Sequence, residues 1–156
     1  MQLTLKTILN FKEKHEHFIY RDVRLANERI EVTIEPRKRS LGICSGCGDR
    51  CAGYDRLPLR EFIHVPFWGL QVILLYCMRR VSCKKCGIVS EQVPWSSGQS
   101  PITIGYAWFL SEWAKLLSVQ EVARQFKTTW HHVFGGVAMA VSWGRERLDL
   151  KHITAL

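Results

Sequence analysis

Two Cys-x-x-Cys-Gly sequences, beginning at Cys44 and at Cys83, constrain this chain more than any other feature. Each lets one tight turn direct two thiolates at a single ion, and its glycine tolerates the positive φ that such a turn demands. Residues 48–82 separate the two turns and predict a long hairpin that folds back to bring them together. The sequence therefore predicts one metal ion, held as in a zinc ribbon by Cys44, Cys47, Cys83 and Cys86.

A site made of four thiolates has no open position for water, so its metal is expected to be structural rather than catalytic. We expect Zn²⁺ rather than iron as the single cofactor, because nothing else in the sequence indicates electron transfer. Disulfides or free thiols are the alternative for these four cysteines. Of the other two, Cys77 is expected to be a small buried residue, and Cys51 is an alternative ligand. His64 is assigned no role.

The first two thirds of the chain have the pattern of β-strands. Ile30, Val32 and Ile34 alternate with polar residues, as in a half-buried strand, and residues 18–25 predict its hairpin partner. The other predicted elements here are a short helix over residues 3–11 and a hairpin of residues 59–65 and 70–81. The predicted domains are an N-terminal helix and β-hairpin (residues 1–36) and a zinc ribbon (residues 37–94).

Residues 94–101, rich in proline and serine, predict a domain boundary, after which the pattern becomes helical. A capping box at Ser118 and Glu121 starts the second of three predicted helices. Gly135 and Gly136 cost about 1 kcal/mol each relative to alanine, so the third helix is expected to bend or fray there. Its shared apolar face is predicted to comprise Trp130, Val133, Phe134, Val137 and Val141.

The expected fold class is therefore α+β, with a small β-rich zinc ribbon followed by a three-helix helix-turn-helix unit. The helix-turn-helix domain is predicted over residues 101–143, and residues 144–156 are expected to begin a linker. A plain helical bundle is the alternative for this half, because one sequence alone carries only a weak helix-turn-helix signal.

The chain carries 22 Lys and Arg against 14 Asp and Glu, a formal charge of +8, which suits a polyanionic partner such as nucleic acid. A helix-turn-helix places the start of its last helix in the major groove and neighbouring charges near phosphates. The residues predicted to bind DNA are Lys115, Arg124, Lys127, Thr128, Thr129, His131 and His132 in the helical half, and Arg79, Arg80, Lys84 and Lys85 in the ribbon.

The order of these features resembles the N-terminal half of the ISL-three family of bacterial insertion-sequence transposases, over essentially the whole chain. The most specific part is the pair of cysteine turns with the basic segment at residues 79–86. In the helical half, the small Ala123 and the apolar Val133 agree with a helix-turn-helix. Lys127 stands where such motifs often have glycine.

The resemblance implies that the partner is double-stranded DNA, gripped at the terminal inverted repeats of the element, alongside a second copy or a full-length transposase. In that family, a following ribonuclease-H-like domain cuts and joins DNA with three carboxylates and divalent metal. We find no such carboxylate set and expect the chain to end before that domain. No enzyme activity and no small-molecule substrate are therefore predicted.

No targeting segment is visible, and the longest apolar run, residues 72–78, is too short to cross a bilayer. A cytoplasmic, nucleoid-associated protein without membrane contact is expected. Two other function classes stay open. A zinc-ribbon module for protein interaction or transcription regulation would use Trp95 and Trp108 as a docking surface, and a complete enzyme or redox protein would hold iron in place of zinc.

Overall fold

The computed structural model describes residues 4–13 and 15–148, and its fold is α+β, with a mixed six-stranded sheet and four helices. The described elements, in chain order, are α1 (Leu5–Lys12), β1 (Phe18–Ala26), β2 (Arg29–Pro36), β3 (Gly42–Ile43), β4 (Arg50–Phe67), β5 (Leu70–Cys83), β6 (Gly87–Ser90), α2 (Ile104–Trp113), α3 (Val119–Gln125) and α4 (Trp130–Arg147). The chain divides into two units, residues 1–103 with the sheet and residues 104–156 with α2 to α4. None of the described helices is long and apolar enough to span a membrane.

The first unit is organised around the long antiparallel hairpin of β4 and β5. On the other edge of β5, β2 pairs in parallel from Arg29 opposite Gln71 to Thr33 opposite Leu75, and β6 pairs further along. β1 closes the sheet on β2, and the short β3 pairs with the start of β4. The sequence placed a boundary after Pro36, but the hydrogen bonds between β2 and β5 join both sides of it in one sheet.

Trp95 lies at the centre of the first unit's core and is only 3% exposed. Its indole makes edge contacts with the rings of Phe18, Phe62 and Tyr76, at centroid distances of 4.9 to 6.1 Å. Residues 94–101, predicted to be a domain boundary, therefore pack as part of this unit. The physical reason is that one large aromatic side chain buries enough apolar surface to hold a proline- and serine-rich segment in place.

In the second unit, the predicted capping box is confirmed: Ser118 Oγ accepts from the N–H of Glu121, and the Glu121 carboxylate accepts from the N–H of Ser118. α4 is one continuous helix through Gly135 and Gly136, so it does not fray there. A side chain at position 136 would place its Cβ 2.5 Å from the carbonyl oxygen of Ala107. The glycine thus permits close packing of α2 on α4.

Candidate metal centre and nucleic-acid interface

The turns that follow β3 and β5 bring Cys44, Cys47, Cys83 and Cys86 together. Their four sulfur atoms all lie within 4.8 Å of one another, and the Cys47 and Cys83 sulfurs are 3.5 Å apart. Four sulfurs at about 2.3 Å from one tetrahedral ion would lie about 3.8 Å apart, so the cluster could hold a metal ion. The predicted ligand set is therefore brought together as the spacing indicated.

Glycines shape both turns of the cluster. Gly48 and Gly87, which follow the cysteine pairs, have φ values of 78° and 76°, the left-handed conformation expected for these positions. Gly46 was not singled out in the sequence, yet a Cβ there would lie 2.9 Å from the Cys86 sulfur. Any side chain at position 46 would therefore crowd a ligand atom of the opposite turn.

The thiols of Cys83 and Cys47 differ in acidity because the backbone is not arranged symmetrically around them. Hydrogen bonds from the backbone of Cys86 and Lys85 lower the pKa of Cys83 to about 6, although burial opposes this. At Cys47, a backbone hydrogen bond from Asp49 is outweighed by burial and by the neighbouring thiols, which raise its pKa to about 12. The Cys83 thiolate therefore forms readily, whereas the Cys47 thiolate needs a cation to offset the charge around it.

The two remaining cysteines lie outside the four-sulfur cluster. Cys51 is buried beside Val81 and the cluster, and its thiol donates to the carbonyl oxygen of Asp49 at 3.5 Å. Cys77, expected to be buried, is half-buried on β5. Neither belongs to the metal-binding group found among the described residues.

Arg79 was predicted to contact DNA, and this prediction is wrong because its side chain is buried at 9% exposure. Its guanidinium binds the fully buried carboxylate of Glu91, with Nη2 2.7 Å and Nε 2.9 Å from Oε2. Tyr76 donates its hydroxyl to the other carboxylate oxygen. A charge on a central strand needs such a partner to be stable away from water, so Arg79 is committed to the interior.

The other basic residues of the ribbon remain at the surface. Arg80 forms an ion pair with Asp55, and Lys85 forms one with Asp49 at 2.8 Å. Lys84 is exposed. Surface ion pairs of this kind are worth roughly 0 to 1 kcal/mol and exchange easily for phosphate contacts.

In the second unit, the connection between α3 and α4 turns through Lys127, whose φ of 50° is left-handed. This is the position at which the sequence has lysine where glycine is frequent. Thr129 then caps α4 by accepting from the N–H of His132. Arg124, Lys127, Thr129 and His131 are exposed, and so is Lys115, which is paired with Glu112 at 2.7 Å.

Thr128 and His132 were predicted to face outward, whereas both are half-buried. Thr128 Oγ1 and His132 Nδ1 share a hydrogen bond of 2.8 Å across the first turn of α4. Burial, and to a lesser extent His131, lowers the pKa of His132 and favours its neutral form. These two side chains brace the turn and do not project from it.

The apolar face predicted for α4 is also wrong in part. Val133 and Gly136 are buried, but Trp130 and Phe134 are 53% and 59% exposed. The reason is that α4 packs through a narrower stripe than its apolar residues cover. The Trp130 ring stacks on His131 with a centroid distance of 3.6 Å. The leading end of α4 thus presents aromatic rings together with Lys127 and Thr129.

Comparisons with protein-family models, with curated proteins and with solved structures found no match. The chemistry that this chain can perform is therefore inferred from its own residues. The sulfur cluster can hold one metal ion. The start of α4 offers side chains that can contact a partner.

A buried polar cluster in the first unit was missed in the sequence. His64 Nδ1 is 2.9 Å from Thr103 Oγ1, and its Nε2 is 3.3 Å from Glu13 Oε1. Tyr20 donates to Glu13 at 2.6 Å. Burial opposes ionisation of Glu13, but His15, His64 and Tyr20 together lower its pKa to about 2. The cluster ties α1 to β4, and no local pattern around His64 marks it.

Proposed function

We propose that this chain is the DNA-binding part of a bacterial insertion-sequence transposase of the kind it resembles, and that it recognises the terminal inverted repeats of its element. The observation that carries the proposal is the succession of capped α3, left-handed turn at Lys127 and capped α4 with an exposed leading end. That succession matches a helix-turn-helix, whose last helix enters the major groove. The charge of +8 supports a polyanionic partner.

In the first unit, the four clustered cysteines would form a zinc ribbon. Zn²⁺ would be held by the four clustered thiolates, with all its coordination positions filled by protein, and so would act on structure alone. It would join the turn before β4 to the turn after β5, at one end of the long hairpin. Metal binding and folding of that end are then one process.

The structure refines which side chains we expect at the DNA. At the leading end of α4, we assign base-edge contacts to Thr129, Trp130 and His131, which are exposed. Arg124 and Lys127 are placed at phosphates, as positioning charges. Lys115, Arg80, Lys84 and Lys85 supply further phosphate contacts, whereas Thr128 and His132 act by bracing the turn.

We assign no reaction to this chain. A nuclease of the kind that follows in the resembling family assembles three carboxylates around divalent metal. A second copy or a full-length transposase is the protein partner that fits this reading, and a nucleoid location follows from it. The residues of this chain would then supply the recognition of the element's ends.

Selection from a random-sequence duplex pool, followed by fluorescence anisotropy across a salt titration, tests the proposal. The selected duplex should bind at least tenfold tighter than an unselected one, and Arg124→Ala should reduce the salt slope by about 1 for both. The matched control is Lys12→Ala, which removes the same charge from an exposed site on α1. Equal affinity for selected and unselected duplexes would refute sequence-specific binding.

A protein-interaction or regulator module is the second candidate, and one observation favours it. An apolar groove of about 450 Å³ lies between α2 and α4, lined in part by Trp108, Val141 and Trp143. The docking surface first expected at Trp95 is ruled out by its burial. Loss of a protein partner in Trp143→Ala, with DNA affinity unchanged, would support this second function.

A further inference from the structure

Trp68 is the most exposed of the large apolar side chains that the structure describes, at 91%. It stands at the tip of the β4–β5 hairpin, where Phe67 pairs with Leu70 and only Trp68 and Gly69 form the loop. An indole is among the costliest side chains to leave in water. Such exposure at the tip of the β4–β5 hairpin is therefore unusual.

The backbone of Trp68 is strained as well. Its φ is 49°, and the φ of Gly69 is 78°, as the favoured two-residue hairpin turn requires at both positions. Asn, Asp and Gly are usual at the first of these positions, and a bulky side chain there is an outlier. In the neighbouring β1–β2 turn, the first position is the usual Asn27, at a φ of 51°, and the second is Glu28, at a φ of 58°. A strained residue that is also exposed indicates a functional role.

The indole is held in position on one side. The Trp68 ring stacks on Phe67, with centroids 4.8 Å apart and planes 24° from parallel. Phe67 in turn packs against the core of the first unit. One face of the indole is thus supported by protein, and the opposite face is open to solvent.

We propose that the open face of Trp68 stacks on an unpaired nucleobase, at a strand end or where the duplex is opened. This inference rests on the proposed DNA-binding function and adds to it a contact outside α4. Aromatic side chains form stacking platforms for bases of any sequence, because every base has a π-face. Apolar wedges inserted at base steps are a recurrent way of distorting a duplex.

The charges around the tip favour a base over a lipid surface. Arg24 and Arg29 at the adjacent turn are paired with Glu31 and Glu61. Attachment to an anionic membrane draws on clusters of unpaired basic residues, and this end of the sheet has its arginines neutralised. Stacking needs no local charge, because the phosphates can be held elsewhere on a chain with a net charge of +8.

The test compares the full chain with Trp68→Asn and Trp68→Phe. Asn suits the turn, so Trp68→Asn should unfold at the same temperature as the parent or higher, while it lacks the ring. The probes are a closed random-sequence duplex and the same duplex with a short mismatched bubble that carries 2-aminopurine. The parent should prefer the bubble about tenfold, or ~1.4 kcal/mol, and quench the 2-aminopurine.

Trp68→Phe should keep most of that preference, Trp68→Asn should lose it together with the quenching, and all three proteins should bind the closed duplex equally. A bubble preference that survives in Trp68→Asn would overturn the inference and leave the proposed function intact. Failure of the parent to bind the selected duplex as well as these two probes would refute the proposed function itself. Binding to vesicles of phosphatidylcholine and phosphatidylserine that depends on Trp68, without bubble preference, would overturn the inference in favour of a membrane.

Discussion

Replacing each glycine of the Gly135–Gly136 pair by alanine should change the stability of the helical unit in opposite directions. Both residues lie inside α4, where alanine is favoured over glycine by about 1 kcal/mol. At position 135 nothing lies within 4 Å of an added Cβ, so Gly135→Ala should raise the free energy of unfolding by about 1 kcal/mol. At position 136 the added Cβ would lie 2.5 Å from the carbonyl oxygen of Ala107, where ordinary contact begins at 3.4 Å.

The atom in the way is backbone, so relief requires α2 and α4 to separate. Overpacking of this kind costs roughly 1 to 3 kcal/mol, which equals or exceeds the gain of about 1 kcal/mol in helix propensity. Gly136→Ala should therefore be destabilised by up to about 2 kcal/mol, and the two variants should differ in their free energy of unfolding by the overpacking cost, roughly 1 to 3 kcal/mol. Urea unfolding followed by far-ultraviolet circular dichroism measures the difference directly.

Gly135→Ala is the matched control for Gly136→Ala, because it makes the same chemical change one residue away. If Gly136→Ala unfolds at the same urea concentration as Gly135→Ala, or at a higher one, then α2 does not approach α4 as closely as described. The packing account of the helical unit would then have to be abandoned.

Three further predictions concern the first unit. Cys83→Ser should lose both the bound metal and the ordered ribbon, whereas Cys77→Ser should retain both. Elemental analysis measures the metal content of the two variants, and equal content would contradict the site. Arg79→Met should lower the free energy of unfolding by about 3 to 5 kcal/mol, because the buried carboxylate of Glu91 loses its cation. A decrease of less than about 1 kcal/mol would contradict this and show that the carboxylate is solvated. The folded-state pKa of Glu13 lies near 2, and its ordinary value is 4.5. The ionised Glu13 carboxylate therefore contributes fully to the free energy of unfolding above about pH 4.5, and this contribution is lost as the pH falls towards 2. The free energy of unfolding of Glu13→Gln should lack this pH-dependent contribution, which is on the order of 3 kcal/mol.

Features that depend on neighbours in the sequence could be predicted. The alternation at Ile30, Val32 and Ile34 corresponds to β2, and Ser118 and Glu121 form their capping box. The four cysteines meet because each pair shares one turn and a single hairpin joins the turns. In each case the determining contacts are local, or one short connection brings them together.

Features that depend on a distant partner could not be predicted. Arg79 sits in a basic segment that resembles a DNA-contacting surface, and two distant partners make its burial favourable: the carboxylate of Glu91, twelve residues later, and the carbonyl oxygen of Ser40. The parallel pairing of β2 with β5 leaves no mark on either strand, since neither the alternation in β2 nor the apolar run in β5 specifies the partner strand. Gly136 looked like a weak point of α4 until the opposing backbone of α2 was in place.

The β4–β5 hairpin also sets the distance between the metal cluster and Trp68. β5 runs from Leu70 to Cys83, and at about 3.3 Å per residue it spans roughly 43 Å, which is the length of about 13 base pairs. The metal cluster at one end and Trp68 at the other are thus separated by more than one turn of a duplex. Where the β4–β5 pairing is regular, this distance would change in steps of two residues per strand, about 7 Å, since a single insertion would exchange the buried and exposed faces. The spacing between two contacts on DNA would therefore be encoded in strand length, independently of any side chain that reads a base.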